Sequence, residues 1–317
     1  MKIQSVTASS LSYALNNAAG LKTSGNVNFK ANSAVSDLNF GNMDKTHYVR
    51  VFDPKQEIID EENYRQELLG RFFVDKKDED GNLVTDKNNK VVTELDPAIK
   101  QALDSTVFEF KGPDGKLFEG TIKDAIERFV IYDDNLPERF VGLLHGTSKE
   151  NIKAIMENGP DMRKVKNSAF GPGMYFALSE GDAQDYSGAK LMADVVRTQR
   201  NDGEKGKFVR WDGNFYDKIT NGNVISALDK ILDIEPEPLE YDPFRPYYIG
   251  RVKSEIPHRI LDEYCRNVIK DELAIDAGYG TAPGFHSCIV VFNPDSIVNM
   301  SDYSQQSNNY QSYYHRY

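Results

Sequence analysis

Leu143-Leu144-His145-Gly146-Thr147, then Gly171-Pro172-Gly173-Met174-Tyr175-Phe176-Ala177 and finally Tyr186, is the stretch on which the reading of this chain turns. Two apolar residues lead into a His-Gly corner, the pattern of a strand that ends where a side chain meets a ligand. Gly146 has no Cβ, so backbone there can approach a bound group closely. Ser148 then caps a helix over Lys149–Met156, with Ile152, Ile155 and Met156 on one face and Gly159 at its end. Glycines flank Pro172, and Met174-Tyr175-Phe176-Ala177 has the composition of a buried strand. A turn built from Ser179, Glu180 and Gly181 separates it from Tyr186.

Outward from this stretch the elements are less distinctive. Glu57–Phe73 has a helical pattern, and Asp78-Glu79-Asp80-Gly81-Asn82 suggests a calcium loop. That reading fails, because Lys76 and Lys87 stand where the first and the bidentate acidic ligands belong; a hairpin turn fits better. Val107–Phe110, Gly112-Pro113-Asp114-Gly115 and Leu117-Phe118 form a second hairpin. Thr121 caps a helix that lines Ile122, Ala125, Ile126 and Phe129 along one side. Ala189–Arg200 reads as helix or as mixed strand and helix, and Lys207–Trp211 as a strand. Tyr241–Tyr248, rich in proline and aromatics, fits a packed connection or a protein-contact surface. Glu255–Lys270 reads as a helix and His286–Phe292 as a buried strand closed by the Asn293-Pro294 turn.

The order of these pieces resembles the NAD-binding core of the poly(ADP-ribose) polymerase-like, or diphtheria-toxin-like, ADP-ribosyltransferases. The resemblance spans residues 141–300 and implies an α+β fold: a split, mostly antiparallel β-sheet with flanking helices. Residues 43–140 would form an N-terminal α+β accessory region that helps to recognise the acceptor. By resemblance His145 would hydrogen-bond a ribose hydroxyl and Gly146 the nicotinamide amide. Thr147 would add a hydroxyl near the ribose, Gly173 would belong to the cofactor-binding set, and Tyr175 and Tyr186 would sandwich the nicotinamide ring. The resemblance makes His145 and Tyr175 catalytic candidates and NAD the substrate that carries the transferred group.

Two positions depart from the family. Its small hydroxyl residue three before the second tyrosine is Ala183 here, and its catalytic glutamate falls on Cys288, or on Ser287 after a one-residue slip. Members without that glutamate are mono-transferases or inactive, so polymer synthesis is not expected. Asp185, Asp262 and Glu263 are carboxylates that could stand in for it. The expected activity is mono-ADP-ribosylation of a side chain on a protein acceptor, host ubiquitin on a hydroxyl residue being one candidate. A non-catalytic NAD- or ADP-ribose-binding module and an NAD glycohydrolase toxin are the alternatives.

Composition sets the outer limits. A formal charge of −11 over 317 residues argues against nucleic acid as the default partner. No apolar run reaches the length of a membrane span. Two cysteines, Cys265 and Cys288, make neither a disulfide framework nor a four-ligand metal site. Residues 1–42 are rich in Ser, Asn and Ala, which suits a floppy terminus or an uncleaved leader for a specialised bacterial export system delivering the protein into a host cytoplasm. Residues 301–317, rich in Ser, Gln, Asn and Tyr, are expected to be a disordered tail. The basic loop Asp161–Phe170, with Arg163, Lys164 and Lys166, reads equally as a pyrophosphate grip and as a solvated surface loop.

Overall fold

Helix α1, Pro54–Gly70, is the first described element. Proline suits a first helical turn, where its missing N–H would have no partner. The helix starts three residues before the expected Glu57 and stops at Gly70, so Phe73 instead opens a short strand, β1 (Phe73–Asp75), paired antiparallel with β2 (Thr93–Leu95). The computed structural model describes residues 54–86, 89–165, 169–184, 189–211, 215–234, 248–281 and 287–303. The expected leader (1–42), residues 304–317 of the expected tail and most of the 241–248 stretch lie outside these, as do Tyr186, Asp185 and His286; the first tail residues, Ser301 and Asp302, instead end a strand that pairs in the sheet.

Local rules set the next elements. Asp78 accepts from the backbone N–H groups of Asp80 and Asn82, and Gly81 takes φ of +83°, so the acidic stretch is a turn. α2 (Pro97–Ser105) is capped by Asp96. Strands β3 (Phe108–Lys111) and β4 (Leu117–Gly120) make the second hairpin. α3 (Ile122–Phe129) carries a full capping box between Thr121 and Asp124, and it buries Ile122, Ala125, Ile126 and Phe129.

The remaining strands are β5 (Val130–Tyr132), β6 (Arg139–Thr147), β7 (Met174–Ala177), β8 (Ala189–Val196), β9 (Lys207–Trp211), β10 (Ile275–Gly280), β11 (Cys288–Val291) and β12 (Ile297–Asp302). They form an eight-stranded sheet in the order β12-β8-β6-β7-β11-β10-β9-β5. Every neighbouring pair is antiparallel except β9 and β10. The mostly antiparallel α+β architecture is therefore as expected. β5, which comes from the segment expected to be accessory, forms one edge of this sheet, and all described residues fall within one compact unit.

One expectation is corrected here. Ala189–Val196 is a strand with no helical part, and it is buried along nearly its whole length between β6 and β12. A strand covered on both faces loses the alternation that would mark it, so its apolar run mimics a buried helix. Asp194 within it accepts from Gly142 N–H (2.8 Å) and Asn299 Nδ2 (2.8 Å) and pairs with Arg139. Gly142 (φ +68°) and Asn299 (φ +53°) sit where the registers of β6 and β12 shift. One carboxylate thus pins bulges in both neighbouring strands. Burial opposes its charge, but the bonds from Asn299, Arg139 and Gly142 hold its carboxyl below the usual range.

Helices α4 (Lys149–Asn158), α5 (Glu180–Gln184), α6 (Phe215–Ile219), α7 (Gly222–Ile231) and α8 (Tyr248–Asn267) complete the fold. The last runs longer at its start than the expected Glu255–Lys270 and passes into a π turn at Val268–Glu272. One sheet face packs Val209, Trp211 and Val290 against α8 through Val252, Ile256, Ile260 and Tyr264. The other buries Phe176, Leu191, Ile289 and Val291 with Ile152 of α4. Each such side chain contributes about 1.5–3 kcal/mol on burial.

Candidate functional site

The centre of the sheet contains a fork. β6 and β7 share one registered pair, Leu144↔Ala177. Beyond it β6 follows β8 through His145, Gly146 and Thr147, while β7 follows β11 through Phe176 and Tyr175. The His-Gly pair therefore lies within a strand that continues to Thr147, and does not end it as expected. The feature that faces the cleft is the parting of two strands.

His145 spans the fork. Its Nδ1 lies 2.7 Å from the Tyr175 carbonyl, which can only accept, so Nδ1 carries the hydrogen and Nε2 offers a lone pair. Burial lowers the imidazole pKa from its ordinary value, outweighing the Tyr175 bond, which would raise it. The ring is held neutral, as an acceptor.

A cleft of about 420 Å³, much of it open to solvent, lies at this fork. His145, Gly146 and Tyr175 line it, as do Ser287 and Cys288 at the head of β11. The sequence-predicted residues from β6, β7 and β11 are thus brought together. Cys288 pairs with Ala177 across the ladder, and burial pushes its thiol up to about 12. It is a neutral thiol at physiological pH, neither a nucleophile nor a charge. Tyr175 is fixed by its hydroxyl, which donates to the Gly171 carbonyl (2.9 Å) and accepts from Phe170 N–H (3.0 Å).

Other expected site residues lie elsewhere. Thr147 is outside the lining, and its hydroxyl accepts from Asn151 (3.0 Å). Gly173 is also outside it: a Cβ there would come within 2.5 Å of Val290 Cγ1 and 2.7 Å of the Val291 carbonyl. Close packing on β11, and not approach to a ligand, explains that glycine. Ala183 is fully buried with Leu144 and Ala177.

Two of the three stand-in carboxylates, Asp262 and Glu263, are placed away from the cleft, while Asp185 lies outside the described residues. Asp262 is buried on α8, where it accepts from the Tyr216 hydroxyl and burial drives its carboxyl up to about 7. Glu263 pairs with Arg266 at 2.6 Å. Neither lines the cleft. Arg163, from the basic loop, donates to Thr93 Oγ1 at 2.7 Å and lies over the Phe73 ring. It ties that loop to the β1–β2 hairpin and is committed to a structural contact.

One lining residue was not anticipated. Asp182 of α5 enters the cleft, and its carboxylate accepts from Ser179 Oγ at 2.8 Å. The only local sign of it is the Ser179-x-x-Asp182 spacing of a helix cap.

No group of three or more metal-ligating side chains occurs among the described residues, and none of their helices is long and apolar enough to cross a membrane. Compared with models of protein families, with curated proteins and with solved structures, the chain finds no significant match in any of the three. What the site can do is argued from its own geometry.

Proposed function

We propose that this chain is an NAD-dependent mono-ADP-ribosyltransferase that modifies a side chain of a protein acceptor. The observation that carries the reading is the fork between β6 and β7, where a neutral His145 presents Nε2 beside the half-buried Tyr175. An acceptor nitrogen suits a ribose hydroxyl, an aromatic ring at the wall suits a flat pyridine ring, and the glycine at 146 suits a group held against backbone. In the reaction the bond from ribose C1′ to the nicotinamide nitrogen breaks, and nicotinamide leaves with the electron pair. An acceptor oxygen bonds to C1′ and releases its proton to solvent or to a base on the acceptor. The protein's part is to hold the dinucleotide in line and to favour the developing positive charge. The leader-like composition of residues 1–42 makes a host protein the acceptor class to try first, with ubiquitin as the first member.

A second reading has its own observation. The position matched to the family's glutamate holds a neutral thiol, which fits a module that binds NAD without consuming it.

Labelled NAD and host-cell lysate distinguish the two. The transferase predicts labelled protein, lost in His145→Ala and Tyr175→Ala. NAD that binds but is never consumed would sink it, and free ADP-ribose without labelled protein would replace it by hydrolysis. Cys288→Ala is expected to keep activity within about threefold, because an uncharged thiol supplies no charge to lose. Loss of turnover in that variant with its melting temperature unchanged would contradict this.

A further inference from the structure

Tyr175 is half-buried at the cleft wall, and a relay of hydrogen bonds that starts on α8 ends at its hydroxyl. Arg266, buried on α8, donates from Nε to the Pro172 carbonyl at 2.9 Å. That carbonyl and the Gly173 N–H belong to one planar peptide, so fixing one end fixes the other. The Gly173 N–H donates to the Gly171 carbonyl at 2.9 Å, and the same carbonyl accepts from the Tyr175 hydroxyl at 2.9 Å. Phe170 N–H completes the grip on that hydroxyl at 3.0 Å.

Apolar packing decides where this loop lies. Phe170 is fully buried over Gly280, and a Cβ on Gly171 would come within 3.2 Å of both Phe215 and Phe292. Packing alone does not decide how the loop's peptides are turned. Gly171 takes φ of +98°, and glycine on both sides of Pro172 leaves the peptide planes between them soft. A directed donor is needed to set them, and Arg266 supplies it. Its own direction is set by Glu263, which its guanidinium holds at 2.6 Å.

We propose that Arg266 is a positioning residue for the cleft: it orients the Pro172–Gly173 peptide and, through it, the ring of Tyr175. This rests on the reading of the cleft as an NAD site with Tyr175 as the wall for the nicotinamide ring, and deepens it by naming what sets that wall. Arg266 is not itself among the lining residues. An arginine that only stabilised the fold would affect every part of a bound dinucleotide alike. One that acts through the Tyr175 hydroxyl affects the part that meets the ring.

The test is an equilibrium titration of the full chain with NAD and, separately, with ADP-ribose, which keeps the adenosine and both phosphates but lacks the nicotinamide. Wild type is compared with Arg266→Lys, Tyr175→Phe and the double variant, and melting temperatures are recorded for each. Lysine keeps the charge beside Glu263 but not the fixed fork of donors, and phenylalanine keeps the ring without its hydroxyl. Each single variant is expected to lower the ratio of NAD to ADP-ribose affinity by about 2- to 10-fold, the net worth of one hydrogen bond. The double variant should fall no further than Tyr175→Phe, because the relay ends at the missing hydroxyl. If Arg266→Lys does not fold, Arg266→Met with Glu263→Gln, which strands no charge, takes its place in the same cycle. A ratio unchanged by the Arg266 substitution, even with both ligands weakened, would overturn the assignment and leave the NAD site standing. So would an equal loss of ratio with the hydroxyl already absent. Binding of neither ligand by wild type would instead remove the NAD site, and this proposal with it.

Discussion

Replacing Arg266 by Met is expected to cost about 3–5 kcal/mol of unfolding free energy, the usual consequence of removing one partner from a buried ion pair. Arg266 is 5% exposed on α8, donates from Nε to the Pro172 carbonyl at 2.9 Å and holds Glu263 at 2.6 Å. Its loss leaves Glu263 nearly buried, with Arg163 at 3.9 Å as its remaining cation. The effect reaches the site through one loop: Pro172 lies between Gly171, which accepts from Tyr175, and the tightly packed Gly173. Methionine keeps most of the apolar stem, so the deficit reports charge and hydrogen bonding more than a cavity. Urea unfolding measures it directly. Adding Glu263→Gln should recover part of the loss, because the stranded charge is then gone. A deficit under about 1 kcal/mol, or no recovery in the double variant, would show that this pair does not organise the loop.

His145→Ala should weaken NAD binding by roughly 5- to 150-fold, corresponding to about 1–3 kcal/mol for a lost buried hydrogen bond together with its unpaired partner. The imidazole also holds the fork open at a defined width, since its Nδ1–H bonds Tyr175 O where no ladder pair is registered between β6 and β7. His145→Asn, which can donate to the carbonyl but is shorter, should fall between wild type and Ala. The same group sets a pH dependence. Its folded-state pKa lies below the ordinary value near 6.5, so the neutral ring contributes fully above that value. The contribution is lost as pH falls through the lowered folded pKa, when a protonated Nε2 can no longer accept. Binding should therefore be level from pH 8 to about 6.5 and decline on further acidification. A decline centred above pH 7 would contradict a neutral His145.

Much of the local structure was legible because its causes are local. Ser148 and Thr121 cap their helices as the sequence suggests, and Gly159 ends α4 with φ of +82°. Turns at Asp78–Asn82 and Gly112–Gly115 follow from residues a few positions apart. The candidate site was legible in its three strand segments, since His145, Tyr175 and Cys288 do meet in one cleft. What escaped depends on partners distant in sequence. Arg266 and Pro172 are 94 residues apart, and nothing near either predicts their bond. Asp262 and Glu263 could be proposed as site carboxylates because burial and pairing are invisible in sequence; one bonds Tyr216 and the other Arg266. β8 was ambiguous because a strand covered on both faces has no period to read. Asp182 follows directly on the turn read at Ser179, Glu180 and Gly181, and nothing local marks it as a lining residue of the cleft.

In the proposed function the parting of β6 and β7 forms a dinucleotide site. An isothermal titration of the full-length chain with NAD at pH 7.5, repeated on His145→Ala, tests it most directly. Saturable binding at one site per chain, weakened in the variant while its melting temperature stays close to wild type, is the predicted result. No binding to the folded wild-type chain, or binding unchanged in His145→Ala, would contradict it.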